Sequence, residues 1–409
     1  MNIESRRPQI WVFKWVVFFL LFYLSYRYPL QINSSTTSPT YSDTPFFLSF
    51  LKYLVVIFLL ALGVVFLRVN SLSRSFVWGF KINAVTRIYF FAATWLLVLG
   101  MISKDFYYFE FSFSFFVAAI LWSIAGKWEN IPERLNAIFF VFLYICLAFQ
   151  VFQYWNFFYF GRLPALAYYD SISVRFGGVW DDPNGFALWL SFMVPFAFIN
   201  IRNSILRILV LMVLLIFLVS TQSLTGIFSF LSAAIFIFIF SKRNLYNAIF
   251  KGMIVLFFAF LVGVLVVGFF YDFFRLFWEL KSGSVDGHAE SFDLAKLDVW
   301  QFVGLAGDGM LGESGYVNIV HSAGALFSLV YFVLVGLIFY LISVSLPFIK
   351  IYYKASLPYV FFWVSVSIAM INLPVETIFP VNIFYFFFTI YVYKVCRQSI
   401  ASRNTLRKA

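Results

Sequence analysis

Apolar residues in this chain neither alternate nor form a one-sided helical stripe; they come in unbroken runs separated by short polar breaks. A run of about 20 apolar residues is what an α-helix needs to cross roughly 30 Å of hydrocarbon. Cutting the chain at its polar breaks places runs near 10–26, 46–67, 88–102, 111–125, 137–160, 185–201, 208–221, 225–241, 252–270, 324–346, 357–373 and 381–395. The pattern predicts an all-α integral membrane protein, a single polytopic domain over 1–409 with about 12 transmembrane helices. The ten-residue alternation of a membrane β-barrel is absent. Arg6 and Arg7 precede the first run in the order of a signal peptide, but no small-residue cleavage site follows, so this run reads as an uncleaved first span.

An even number of spans returns both termini to one side, and charge says which. Cytoplasmic loops retain Lys and Arg. About twenty of the 29 basic residues fall in loops on the side of the termini, with only Glu4, Glu129 and Glu133 of the 18 acids beside them. Both termini are therefore expected in the cytoplasm. The net charge of +11 is a topology signal, a cationic face against anionic headgroups, and predicts membrane lipids rather than nucleic acid as its partner. No Asp or Glu falls in the middle of a predicted span, which counts against an ion-coupled transporter, where ionisable groups are needed at mid-membrane.

Composition agrees: 63% of residues are hydrophobic and 11% charged, where a soluble domain carries about a quarter charged residues. Aromatics reach 23%, driven by 60 Phe. Spread this evenly, they read as lipid-facing bulk with Trp and Tyr as interface anchors, not as a stacking platform for a ligand. Cys146 lies in an apolar run and Cys396 in the basic tail, so no disulfide is expected. No metal-ligand spacing occurs, and no cofactor is expected.

The polar information is concentrated in two segments on the side opposite the termini, 161–184 and 271–323. The first contains "RFGGVWDDPNGFALWL". Asp182 or Asn184 is placed to cap the helix that follows, with Pro183 setting its start. A helix N-terminus beside Arg175 suits phosphate oxygens, because backbone N–H groups and a guanidinium fork both favour anions. The plainer reading is a stop-and-cap signal with a solvated arginine. The second segment opens with "FFRLFWELK", which reads either as a short interfacial helix or as a continuation of the ninth span. It ends with the glycine-rich "GLAGDGMLGESGYVNIVHSAG". His288 and His321, the two histidines, both fall in it; either could serve as a base, and neither sits in a recognised partner pattern.

Three stretches carry a likeness. "RFGGVWDDPNGFALWLSFMVP", "LVSTQSLTGIFSFLSAAI" and "GLAGDGMLGESGYVNIVHSAGALFSLVYFVL" resemble, in order and in spacing against the spans, the O-antigen polymerase and O-antigen ligase superfamily of bacterial envelope glycan assembly. With the span count, the resemblance covers most of the chain. It implies a metal-independent glycosyltransferase of the bacterial inner membrane whose two long segments are periplasmic loops. Ligases of the superfamily usually carry a His about eleven residues before the glycine that opens the next span. Here that glycine is Gly324, the matching position is Glu313, and His321 lies only three residues before it. The departure favours polymerase over ligase, with a flippase or other transporter weaker still. The resemblance implies a polyprenyl-diphosphate-linked oligosaccharide as substrate, Arg175 on the diphosphate and Glu313 as base. Asp182 and Asn184 would orient the loop, and a chain-length regulator and a flippase would be partners; by location alone, and not by a family motif, Arg162, Arg275 and His321 are expected to line the substrate.

Overall fold

The computed structural model of the chain describes residues 7–22, 84–104, 106–126, 130–160, 167–170, 173–179, 183–241, 314–375, 378 and 380–408, with single positions between 54 and 61. Its helices are α1 (Arg7–Phe22), α2 (Ala84–Ser103), α3 (Phe106–Ala125), α4 (Ile131–Phe160), α5 (Pro183–Asn200), α6 (Ser204–Ser220), α7 (Leu224–Phe240), α8 (Gly315–Ala323), α9 (Ala325–Tyr352), α10 (Leu357–Ala369) and α11 (Val381–Lys408). A short antiparallel pair, β1 (Ala167–Asp170) and β2 (Ser173–Phe176), lies between α4 and α5.

Four described helices, α2, α3, α4 and α9, are long and apolar enough to cross a membrane. Their outward faces fit that solvent. On the shorter apolar helix α6, Ile205, Leu209, Met212, Ile216 and Val219 fall on one stripe, and each is more than half exposed. In water so continuous an apolar surface marks an interface; against lipid it is the ordinary outer face of a helix. The chain is thus a predominantly helical membrane protein.

The helices follow the apolar runs where those runs are described, with corrections at their ends. α4 begins at Ile131, before the predicted 137, because Glu133 and Arg134 extend it as an ordinary polar first turn. α3 begins at Phe106, which brings the half-buried Glu110 into the helix one turn before the predicted apolar start. α11 continues to Lys408 rather than ending near 395, since its polar last turns are still good helix formers. The segment expected as a loop to residue 323 instead closes with α8, capped by the Ser314 hydroxyl, which accepts from the Val317 N–H. Segment 161–184, expected as a loop, contains the β1–β2 pair. The predicted span at 252–270 lies outside the described residues, as does most of that at 46–67.

Backbone packing divides the chain into two compact units, Met1–Thr94 with Ser112–Leu224 and Ile378–Tyr391, and Trp95–Phe111 with Thr225–Thr377 and Val392–Ala409. In the first, rings build the core: Phe115 stacks on Phe386 at 4.1 Å, and Trp189 contacts Phe139, Phe142, Phe192 and Phe384. Phe13, Phe115, Phe139, Phe142 and Trp189 are fully buried. The phenylalanine bias is therefore partly a packing device and not lipid-facing bulk alone. Large planar rings fill helix contacts where lipid supplies no hydrophobic driving force between helices, leaving close packing as the main source of cohesion. In the second unit Phe339 packs on Trp363 and Phe236, and Phe230 on Phe361.

Candidate functional site

The first unit holds a polar cluster built by four segments. β1 and β2 pair with Tyr168 opposite Arg175 and Ala167 opposite Phe176. Immediately after β2 the chain turns at Gly178, whose φ is +63° and whose Cα faces the Phe186 ring so closely that an added Cβ would lie 2.5 Å from it. Only glycine meets both conditions without strain. The turn aims the Gly178 carbonyl at α4, where it accepts from Gln153 Nε2 at 3.2 Å. Phe176 packs edge-on against Tyr154 at 4.7 Å, and Tyr154 in turn packs against Phe217 of α6. Gln153 precedes the end of α4 by seven residues, about 10 Å at 1.5 Å per residue. The segment after β2 therefore folds back along α4 instead of standing off its tip. Non-helical backbone at such depth is tolerated only where protein buries and satisfies it, and Phe176, Gly177, Gly178 and Val179 are all buried.

This fold-back presents Arg175 to the α6–α7 turn and to α5. Its Nε donates to the Thr221 carbonyl at 3.0 Å, and its Nη2 donates to Asn184 Oδ1 at 3.0 Å. Asn184 Oδ1 also accepts from Ser223 Oγ at 2.8 Å. Asn184 is the second residue of α5, so the expected cap is instead a bridge: its side chain joins the guanidinium to the turn between α6 and α7.

That turn is assembled from its own hydroxyls. Ser220 Oγ donates to the Phe217 carbonyl, which also accepts from the Thr221 N–H, and Thr221 Oγ1 donates to the Leu218 carbonyl at the open end of α6. The Ser223 N–H donates to Thr221 Oγ1. Gln222 sits at φ +49°, the left-handed region that non-glycine residues adopt at a cost and that recurs at functional turns. With its side chain spent on Leu218, Thr221 leaves its main-chain carbonyl to Arg175.

The second unit holds α8 by the same economy. Its first N–H groups, those of Gly315 and Tyr316, donate to the Leu373 and Met370 carbonyls, and the Tyr316 hydroxyl donates to the Ser367 carbonyl. At the other end Trp95 Nε1 donates to the Ala323 carbonyl. Gly324, at φ +85° and ψ +158°, then breaks the chain between α8 and α9 in a region essentially closed to other residues. His321 lies in the last turn of α8, 6% exposed, and its Nδ1 has no hydrogen-bond partner among the described residues. Burial lowers its pKa below the ordinary imidazole value.

Of the sequence-predicted site residues, Arg175 and Asn184 meet directly, and His321 belongs to the other unit. Arg162, Asp182, Arg275 and Glu313 lie outside the described residues. Ser314 caps the helix that begins directly after Glu313, and the next long helix opens only after Gly324. Thr221, Ser223 and Gln153 were missed as individual residues. A main-chain acceptor has no sequence signal, but the turn carrying Thr221 and Ser223 lies in the stretch "LVSTQSLTGIFSFLSAAI", whose run of Ser and Thr between two apolar runs is the signal that points to it. Among the described residues no group of His, Cys, Asp and Glu is placed to hold a metal ion. Comparison with protein-family models, curated proteins and solved structures finds no match to this chain.

Proposed function

We propose that this chain is a surface-polysaccharide polymerase of the O-antigen polymerase and ligase type, working on the periplasmic face of a bacterial inner membrane with about twelve spans and both termini in the cytoplasm. Its substrates are polyprenyl-diphosphate-linked oligosaccharide repeat units. A sugar hydroxyl of the incoming unit attacks the anomeric carbon of the growing chain. The new glycosidic bond forms as the bond from that carbon to the diphosphate oxygen breaks, polyprenyl diphosphate leaves, and the hydroxyl proton passes to a base.

The observation that carries the reading is the meeting of two segments far apart in sequence, the one holding Arg175 and Asn184 and the hydroxyl-rich turn holding Thr221 and Ser223. Both belong to stretches that resemble the superfamily. A leaving diphosphate needs fixed positive charge. Arg175 supplies it from a guanidinium already oriented by two hydrogen bonds, beside the N-terminal turn of α5, whose dipole also favours an anion. Glu313 is the proposed base. Arg162, Arg275 and Asp182 are proposed to line the substrate, and a chain-length regulator and a flippase are the proposed partners.

The test is to delete the gene in its host, resolve the surface polysaccharide on a gel, and complement with wild type, Arg175→Ala, Arg175→Lys and Glu313→Ala, with expression of each checked. A polymerase deletion leaves a single repeat unit on its acceptor, and Arg175→Ala reproduces it. If instead no repeat reaches the acceptor while full-length polymer accumulates on its lipid carrier, the protein is a ligase and the reading fails.

A further inference from the structure

We infer that Gln150 is a further positioning residue for the prenyl diphosphate, its side-chain amide donating to a diphosphate oxygen held beside Arg175; this rests on the polymerase reading. Gln150 lies on α4, one turn before Gln153 and Tyr154, so the three share a face. It is fully buried, and neither Oε1 nor Nε2 has a hydrogen-bond partner among the described residues. A buried primary amide with both ends unmet is one of the costliest ways to fill a helix contact, and an apolar side chain of equal size would serve packing better. Its neighbours explain why it is there. The Tyr154 hydroxyl faces both Ser220 and Gln150, although neither approach meets hydrogen-bond geometry. Ser220 directly precedes Thr221, whose carbonyl holds Arg175. Gln150 therefore borders the Arg175 cluster on its deeper side, about 15 Å from the end of α4.

A lipid-linked diphosphate approaches with its isoprenoid in the hydrocarbon and its sugars outward. The phosphate nearest the isoprenoid is then the part that reaches deepest. A neutral amide suits that position: Nε2 donates to a phosphate oxygen without adding a buried charge, and the same small shift of the Gln150 side chain brings Oε1 within reach of the Tyr154 hydroxyl, which donates to it. Gln150 forms no bond in the reaction and acts by fixing where the diphosphate lies.

The experiment uses the full chain purified in detergent, with a polyprenyl diphosphate as probe. It measures thermal stability with and without the probe, and KM and kcat for polymerisation of a lipid-linked repeat unit. Gln150→Met removes the unmet amide at nearly constant volume, and Gln150→Asn keeps the amide but withdraws it by one methylene. Without the probe, Gln150→Met is expected to melt at or above wild type. Both variants are expected to bind the probe about tenfold more weakly and to raise KM by a similar factor, with kcat within about twofold. If Gln150→Met melts clearly below wild type, the amide is a structural partner and the inference is wrong. If both variants bind as wild type does while Arg175→Lys loses binding, the inference falls and the polymerase reading stands. If the probe does not stabilise wild type at all, both fall.

Discussion

Asn184 is the residue on which the arrangement turns, because its single side-chain oxygen accepts from both Arg175 and Ser223. Replacing it with Leu keeps the helix and removes both bonds. A hydrogen bond to a charged donor contributes about 1.5–3 kcal/mol and a neutral one about 1 kcal/mol. Arg175 and Asn184 are half-buried, which puts the charged bond at the low end of its range, so the expected loss is about 2.5 kcal/mol. At roughly 2 °C per kcal/mol for a large chain, the melting temperature in detergent should fall by about 5 °C. A double-mutant cycle sharpens this. Ser223→Ala alone should cost about 1 kcal/mol, and on the Asn184→Leu background close to nothing, a coupling of about 1 kcal/mol. Asn184→Asp separates stability from function. The carboxylate still accepts both bonds and pairs with the guanidinium, so stability should hold, yet it neutralises the charge offered to a diphosphate and should abolish polymer formation. Strict additivity in the cycle would refute the shared-acceptor geometry, and an active Asn184→Asp would refute an anion-binding role for Arg175.

Two further perturbations probe the frame around these residues. Gly178→Ala forces a left-handed residue and drives a methyl into the Phe186 ring; together these should cost about 2–4 kcal/mol, read as a lower melting temperature, and should shorten the polymer because Arg175 sits three residues upstream. His321 gives a pH signature: its folded pKa is lowered by burial, so above an unfolded value of about 6.5 it is neutral in both states. As the pH falls below that value the unfolded chain takes up a proton that the folded chain refuses, so stability declines. His321→Gln should remove this part of the acid slope in melting curves between about pH 6.5 and 5, and an unchanged slope would show that His321 is not the group responsible.

Hydrophobic run length made most of the helices legible, since in hydrocarbon a continuous apolar run has one satisfactory conformation. It misplaced ends wherever a helix leaves the apolar zone: Glu133 and Arg134 at the start of α4 and the basic tail of α11 are polar and helical at once. Of the site, Arg175 and Asn184 stood out because charge and amide are rare in so apolar a chain. Their geometry did not. Asn184 read as a cap because it follows Pro183 at a helix start, whereas its partner is a guanidinium nine residues back. Gln150 and Gln153 carried no signal, because a lone glutamine within a long apolar run looks like noise until its surroundings are known. α8 was hidden for a related reason: nine residues that open on Gly315 and are followed by Gly324 spell a loop, and it is the carbonyls after α10 that satisfy its first N–H groups.

The two helix ends that meet Arg175 act on it in opposite senses. The C-terminus of α6 carries partial negative charge and a carbonyl, that of Thr221, which accepts from Nε. The N-terminal turn of α5 carries partial positive charge and meets the guanidinium through the oxygen of Asn184. A cation anchored to one helix end and facing the positive end of another is held in place without being neutralised by either. An arginine meant only to tie the hairpin to the helices would do better against two C-termini, or against a carboxylate on α5 in place of Asn184. Neither helix end supplies a full negative charge, and on the proposed reading a diphosphate arriving from the membrane brings one and then departs with the leaving group. This asymmetry makes Asn184→Asp the decisive substitution, since it supplies from within the chain the charge that the substrate is proposed to bring.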